Sequence, residues 1–465
     1  MEEKKRLQVP HTFVILAIII LLGFVMTYLL PSGVYDTVVG ETGVEMADPG
    51  SYHTVEKTFL NPAALFTAVP EGLASVASIV FFIFIVCGAF QVVNATGATV
   101  VGVSSLAKLM RGKERIGIPV FMGVFALAGA SFGMSEETII FAPIGIMLAR
   151  ALGYDAMTGC AMVVLGANAG FVAGCMNPFT VGVAQSVAEL PTFSGLGMRA
   201  IFLVIFLISV SLYVTRYARK VGEDPEKSLV RDLEIRERDQ VIDLENVPAL
   251  SGRQRLILLI LVAAIGVMIY GIIVRGWYLT EMGAIFLAMG ILCGFVGRIG
   301  VNRICEEFVE GAKTATYGAL LIGLARAVIV ILEDGQVIDT VVHGLANVIT
   351  LLPEQVTVVG MFIVQTIINF FINSGSGQAM ITMPIMVPLA DIMDITRQTA
   401  VTAFQFGDGL SNALFPTSAV LMAVLSVCRI PYEKYFRFAL PIILINSGIA
   451  MVLLVICGAV GFGPF

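Results

Sequence analysis

The side chains able to do chemistry concentrate in two short polar stretches, each set between apolar runs. Ser135-Glu136-Glu137-Thr138 is one, and Asn373-Ser374-Gly375-Ser376-Gly377-Gln378 is the other. Asn168 and Asn177-Pro178-Phe179 follow the first; Asp408, Ser411, Asn412 and Pro416-Thr417 follow the second. Hydroxyls, amides and carboxylates in this mixture suit reversible capture of a small polar solute. Where two half-helices meet at a break, unpaired backbone groups add to the site, and the N-terminal ends carry partial positive charge that attracts carboxylates. Exposed carbonyls and hydroxyls can hold a cation. Glu136, Glu137 and Asp408 lie in apolar surroundings, where a carboxylate is costly and by default functional. Their partner is a substrate ammonium or guanidinium, a coupling cation, or Arg326. The two glutamates also have a structural alternative, snorkelling to the interface or pairing internally. Arg326 is the one cationic residue placed inside a span. It either grips a substrate carboxylate bidentately or locks onto an acid such as Asp408. The candidate binding set is therefore Ser135, Glu136, Glu137, Thr138, Asn168, Asn177, Arg326, Asn373, Ser374, Ser376, Gln378, Asp408, Ser411, Asn412 and Thr417.

Competing chemistries find less support. Gly129-Ala130-Ser131-Phe132-Gly133 matches the nucleophile-elbow pattern, but that pattern needs a strand-to-helix turn and a His/acid pair. No phosphate-binding G-x-x-x-x-G-K-[ST] loop is present, so the chain does not hydrolyse ATP by that route. No repeated potassium-filter sequence occurs. The seven cysteines form no CxxC pair and the three histidines are scattered, which argues against a disulfide framework or zinc site. The expectation is a non-enzyme with no metal and no cofactor, and Na⁺ or H⁺ left open as a coupling cation.

The elements that must position these residues are helices in a membrane. The chain is 57% apolar and 13% charged, with mean hydropathy +0.92, against about 25% charge in an ordinary soluble domain. Phe13–Leu30, Ala74–Val93, Ala200–Val214, Leu256–Val274 and Phe438–Ile456 approach or exceed the roughly 20 apolar residues a spanning helix needs. The first run is longer than the about 7–15 residues of a signal-peptide core and no small-residue cleavage box follows, so a retained first helix is expected. Cationic clusters at Lys4–Arg6, Lys108–Arg115, Arg216–Arg255, Arg298/Arg303 and Arg429–Arg437 belong on the cytoplasmic side. The acidic segment 31–60 then falls outside. This puts the N-terminus in the cytoplasm and the C-terminus outside a multi-pass cytoplasmic-membrane protein.

Arg115 and Arg150 flank the first polar stretch, so residues 116–150 read as a hairpin with both ends cytoplasmic. Residues 156–190 read as a broken helix, interrupted at Gly166–Gly170 and at Asn177-Pro178. A second hairpin (354–392) and broken helix (398–426) follow. Laying Pro143 on Pro384 brings Ser135 onto Ser376, Glu137 onto Gln378 and Gly166 onto Gly407. Gly88–Gln91 likewise matches Gly323–Arg326, and Val337–Leu352 has the spacing of a helix lying on a membrane face. The expected organisation is a first repeat over 1–217, a cytoplasmic linker and connecting helix over 218–279, and a second, inverted repeat over 280–465. The charged run 218–252 reads as a solvated loop. Paired broken segments in two halves are the mark of a secondary transporter with its site at the repeat interface.

Gly133–Thr138, Asn177-Pro178-Phe179 with Gln185, Ala325-Arg326-Ala327, Asn373–Gln378 and Gly407–Asn412 with Pro416-Thr417-Ser418 together resemble the YfcC-like carriers. These are grouped with the anaerobic C4-dicarboxylate carriers and arginine/ornithine exchangers of the ion transporter superfamily. The resemblance covers nearly the whole chain. It implies an all-α fold of scaffold plus transport domain, a homodimer, elevator motion, and a site at the tips and broken helices. The second tip reads Ser-Gly-Ser-Gly in place of the Ser-Asn-Thr of sodium/dicarboxylate symporters, which weakens the case for sodium. The expected partners are a small-molecule substrate and lipid, not nucleic acid. An amino acid such as arginine or ornithine is favoured, with a C4-dicarboxylate or other small organic anion as the alternative.

Single cysteines placed near Arg115 and Arg150 are expected to react with impermeant thiol reagents from the cytoplasm, and cysteines near Glu354 and Arg397 from outside. Labelling of the first two from opposite faces would break the hairpin assignment.

Overall fold

The computed structural model describes residues 12–39, 45–48, 50–99, 101–102, 114–236, 251–275, 277, 279–349 and 354–463. It is an all-α polytopic membrane protein. Among the described residues the only strands are two short antiparallel pairs, Gly33–Val34 with His53–Thr54 and Thr37–Val39 with Glu45–Ala47. They lie in the acidic segment after the first helix, Thr12–Leu29, where no apolar alternation announces them. Aromatic and polar contacts tie this segment to helix Ile338–Ile349: Tyr52 stacks on His343 at 3.9 Å, and Tyr35 N–H donates to Asp339 at 3.1 Å. Most of the expected connector at 97–115 falls outside the described residues.

Helices Ala77–Ala95, Leu196–Glu223, Leu279–Val296 and Tyr432–Ala459 are long and apolar enough to cross a membrane. Leu196–Glu223 turns Ile201, Val204, Ile208 and Leu212 outward. Apolar side chains on an exposed face are stable where lipid is the solvent.

The two halves are interlocked. Helix Ala64–Ser75 of the first half packs across Thr316–Asp334 of the second, and Val301–Thr314 of the second packs across Ala77–Ala95 of the first. Both crossings depend on a glycine at backbone contact. A Cβ on Gly72 would stand 2.6 Å from the Gly323 carbonyl oxygen, and one on Gly311 2.4 Å from that of Cys87. The two crossings are reciprocal, each half laying a helix over one of the other.

Each hairpin packs on the broken helix that follows it. The first hairpin is Glu114–Phe132 and Thr138–Ala151; the first broken helix is Ala156–Ala173, a π-turn at Pro178–Gly182, and Val183–Val187. The second hairpin is Glu354–Phe371 and Gly375–Ile392; its broken helix is Arg397–Asn412 and Ala419–Val427. The Gly166–Gly170 stretch, expected to interrupt its helix, does not. Ala156–Ala173 runs through it unbroken, and the chain breaks at Gly174, which has φ +56°. The glycines serve close approach instead: a Cβ on Gly170 would meet the Ala126 carbonyl oxygen at 1.8 Å, and one on Gly129 that of Ala167 at 2.1 Å. Gly407 does the same in the second half, with Phe362 O at 3.0 Å.

The charged linker is not simply a solvated loop. Within its described part, Arg231–Arg236 docks on the helix bundle. Glu234 pairs with Arg150 at 3.0 Å and accepts from the Ala156 N–H, capping that helix. Buried Asp155 accepts from Thr158, Tyr217 and Ser228. Lys434 bonds Asp232 and holds its carboxyl below the usual range.

Gly170→Ala is expected to lower thermal stability in detergent, by about 1–3 kcal/mol or more, because overpacked contacts force backbone shifts. Gly197→Ala, where a Cβ would meet nothing within 4 Å, should melt like the parent. Equal melting of both variants would contradict the packing role.

Candidate substrate site

Both hairpin tips and both helix breaks open on one cavity of about 560 Å³, within the about 300–1,000 Å³ common for small-molecule sites. Tip 1 contributes Gly133 to Thr138, and tip 2 contributes Asn373 to Ser376. Phe179 and Thr180 come from the first break; Asn412, Ala413 and Thr417 come from the second. Asn168 reaches the wall from the unbroken part of its helix, and Arg326 and Ser75 close the opposite side. A smaller cavity of about 340 Å³ adjoins it, sharing Arg326, Asn373 and Ser374 and lined further by Glu333, Asp339 and the strand residues Gly33 and Val34.

Tip 2 is built by an asparagine ladder. Asn369, in the last turn of the first arm, and Asn373, in the tip just past its end, reach the second broken helix together. Asn369 donates to Asp408 O (3.1 Å), Ser411 Oγ (2.7 Å) and Asn412 Oδ1 (2.9 Å); Asn373 donates to Asn412 Oδ1 (2.8 Å). Ser374 caps the second arm, its side chain accepting from Gly377 N. Gly375 must be glycine, since a Cβ would stand 2.4 Å from Thr180 Cγ2. Further down, Gln378 bonds Gln365 Oε1 (2.7 Å) and Gln365 bonds Thr382 (3.0 Å), bolting the arms together.

Tip 1 rests on the first break. Gly133 has φ +73° and lies so close to Asn177 that a Cβ would meet Asn177 Oδ1 at 2.5 Å. That oxygen caps the π-turn, accepting from Phe179 N at 2.9 Å, while Met176 N–H donates to Ala130 O at 2.8 Å. Glu137 stands at the N-cap position of Thr138–Ala151, and its Oε2 accepts from Ser135 N at 3.1 Å. One π-turn therefore supports both tips, Asn177 under the first and Thr180 under the second. The halves also join here: Asn168 donates to Gly409 O (2.7 Å), 241 positions away.

Eleven of the fifteen predicted residues line the large cavity: Ser135, Glu136, Glu137, Thr138, Asn168, Arg326, Asn373, Ser374, Ser376, Asn412 and Thr417. Asn177, Gln378, Asp408 and Ser411 stand behind the wall, each buried and engaged in holding it. Asp408 and Ser411 lie inside the continuous helix Arg397–Asn412, not in its interruption. Arg326 does not lock onto Asp408; it pairs with Glu333 and bonds Ser75 Oγ, both at 3.3 Å. Sequence reasoning passed over Asn369 and Thr180. A lone amide at Asn369 inside an apolar arm was the available signal for the first; nothing marked the second.

A family model described as the C4-dicarboxylate anaerobic carrier, DcuC, matches residues 9–460. The chain belongs to this family. It is a multi-pass membrane carrier. As a DcuC-family member it is 34% identical over 471 residues to an Escherichia coli protein provisionally named a basic amino acid antiporter, YfcC, across 93% of each chain. It is 31% identical over 499 residues to an uncharacterized Haemophilus influenzae protein, across 98% of each. Similar solved structures include the Alcanivorax borkumensis YdaH transporter (TM-score 0.45, 15% identity, 97% of this chain and 99% of that one). The Neisseria gonorrhoeae MtrF efflux pump is another (TM-score 0.43, 16% identity, 97% and 95%).

Proposed function

We propose that this carrier moves an amino acid with a cationic side chain, of the arginine/ornithine class, across the cytoplasmic membrane by exchange or uptake. The observation that carries this reading is the inequality of the two tips. At tip 2 the helix Gly375–Ile392 begins at neutral Ser374 and has no acid in its first turn. Its partial positive charge is left for a substrate carboxylate. At tip 1 the corresponding helix start is met by Glu137, with Glu136 beside it on the cavity wall. That end suits an ammonium or guanidinium. In this reading the cavity residues named above contact substrate, and Asn177, Gln378 and Ser411 hold them in place. The name of the Escherichia coli relative points to the same class.

A second reading, a C4-dicarboxylate, is favoured by the family's description. A second carboxylate at tip 1 would face the glutamates, and two like charges about 4 Å apart repel by roughly 4 kcal/mol at an effective dielectric near 20. Arg326 is the cation on the wall that would have to offset this.

The carrier is further proposed to work as a homodimer, N-terminus cytoplasmic and C-terminus outside. The hairpin and broken-helix units would move as an elevator against the interlocked helices. The flanking charges and the crossed glycine contacts support this division.

Binding of arginine, ornithine, citrulline, aspartate and fumarate should be compared in the parent, Glu136→Gln and Glu137→Gln. A charged hydrogen bond is worth about 1.5–3 kcal/mol, so neutralising the glutamate that holds the cation should weaken arginine and ornithine about ten- to a hundredfold. Citrulline should change little. A parent that binds fumarate and ignores arginine would end the amino-acid reading.

A further inference from the structure

We infer that Asp408 is a proton-binding site behind tip 2, with Thr180 as its hydroxyl link to the cavity. This rests on the carrier reading but not on the identity of the substrate. Asp408 is fully buried. Its Oδ1 accepts from Asn412 Nδ2 at 3.2 Å, whereas Oδ2 has no hydrogen-bond partner among the described residues. Thr180 Oγ1, also buried, is likewise without one. Both residues converge on Gly375: a Cβ there would stand 3.4 Å from Asp408 Oδ2 and 2.4 Å from Thr180 Cγ2. Rotation of Thr180 about χ1 would put its hydroxyl where that methyl now stands. Thr180 also lines the cavity, so it joins Asp408 to the space a solute enters.

The surroundings suit a neutral acid. A carboxylate ion at this depth would be an uncompensated buried charge, and such groups neutralise unless paired. Among the described residues, the elements packed on Arg397–Asn412 turn no charged or titratable side chain onto Asp408. The hairpin arms carry Asp391 at their far end, paired with Arg397. Helix Tyr432–Ala459 brings Tyr432 and Tyr435, which donate to the carbonyls of Leu414 and Ala413. The first broken helix and its π-turn present Asn168, to Gly409 O, and Thr180. The cavity charges are engaged elsewhere, Arg326 with Glu333 and Glu137 with Ser135 N. A proton supplies what is missing: one O–H bond forms on Oδ2, and Asn412 continues to donate to the carbonyl oxygen. The proton comes from the water of the cavity and leaves to water when the site opens to the opposite face. Charge at Asp408 would thus be cancelled each time tip 2 seats over it, coupling solute movement to protons rather than sodium.

The test uses the full chain reconstituted in vesicles, as parent, Asp408→Asn and Asp408→Glu. Infrared difference spectra between acid and alkaline buffer should show the carbonyl stretch of a neutral carboxylic acid in the parent. It should be lost in Asp408→Asn and shifted in Asp408→Glu. Accumulation of labelled arginine should rise about tenfold per unit of imposed pH difference for one obligatory proton, and Asp408→Asn should lose that response. The proposal is overturned if Asp408→Asn keeps the full carbonyl band or the pH response. Accumulation that follows a sodium gradient and ignores pH would overturn it too. Absence of arginine transport with the band still lost in Asp408→Asn would defeat the substrate reading and leave the proton site standing.

Discussion

Backbone inside hydrocarbon has no water to pair with, so every interrupted helix must find protein partners for the N–H and C=O groups it frees. This chain interrupts its embedded helices at two tips and two breaks, and side chains close them, some within the same turn and some from another element. Asn369 and Asn373 reach from the second hairpin to the second broken helix. Asn177 closes the first break while supporting tip 1, and Glu137 turns back onto tip 1 itself. The asparagines join tip 2 to the second break, and Gly133 and Gly375 seat both tips on the first, so the four interruptions are drawn to one place. The cavity lies there.

Glycine makes that convergence sterically possible. Polar closures are short, so the helices bearing them must approach to backbone contact. Gly129 and Gly170 allow this in the first half and Gly407 in the second. The same device, at Gly72 and Gly311, crosses the halves over each other. Substituting a side chain at one of these points would alter the register of the polar groups as well as the packing.

Much of this was legible in the sequence because membrane placement makes polar residues conspicuous. The flanking arginines of 116–150 predicted a hairpin, and Asn373–Gln378 predicted the second tip; helices are interrupted at 133–137 and at 372–374, at those stretches. Glycine clusters were ambiguous. Gly166–Gly170 fits either a break or a close approach, and only the carbonyl of Ala126, far away in sequence, decides which. Depth was also invisible: Asp408 sits four residues before Asn412, one turn away, yet one stands behind the wall and the other on it. The docking of 231–236 was hidden by its charge, since an acid that caps a helix and an acid in solvent look alike in one dimension.

What remains for the solute is a chamber with unlike ends, a helix start free of acid at tip 2 and two glutamates at tip 1. That polarity, more than any single residue, favours a zwitterion carrying an extra cation. It is most directly tested by a cryo-EM map of the reconstituted carrier with bound arginine. The account predicts density between the tips, with the carboxylate at Ser374–Ser376 and the guanidinium at Glu136 and Glu137. Density in the reverse orientation, or confined to the smaller cavity beside Glu333 and Asp339, would contradict it.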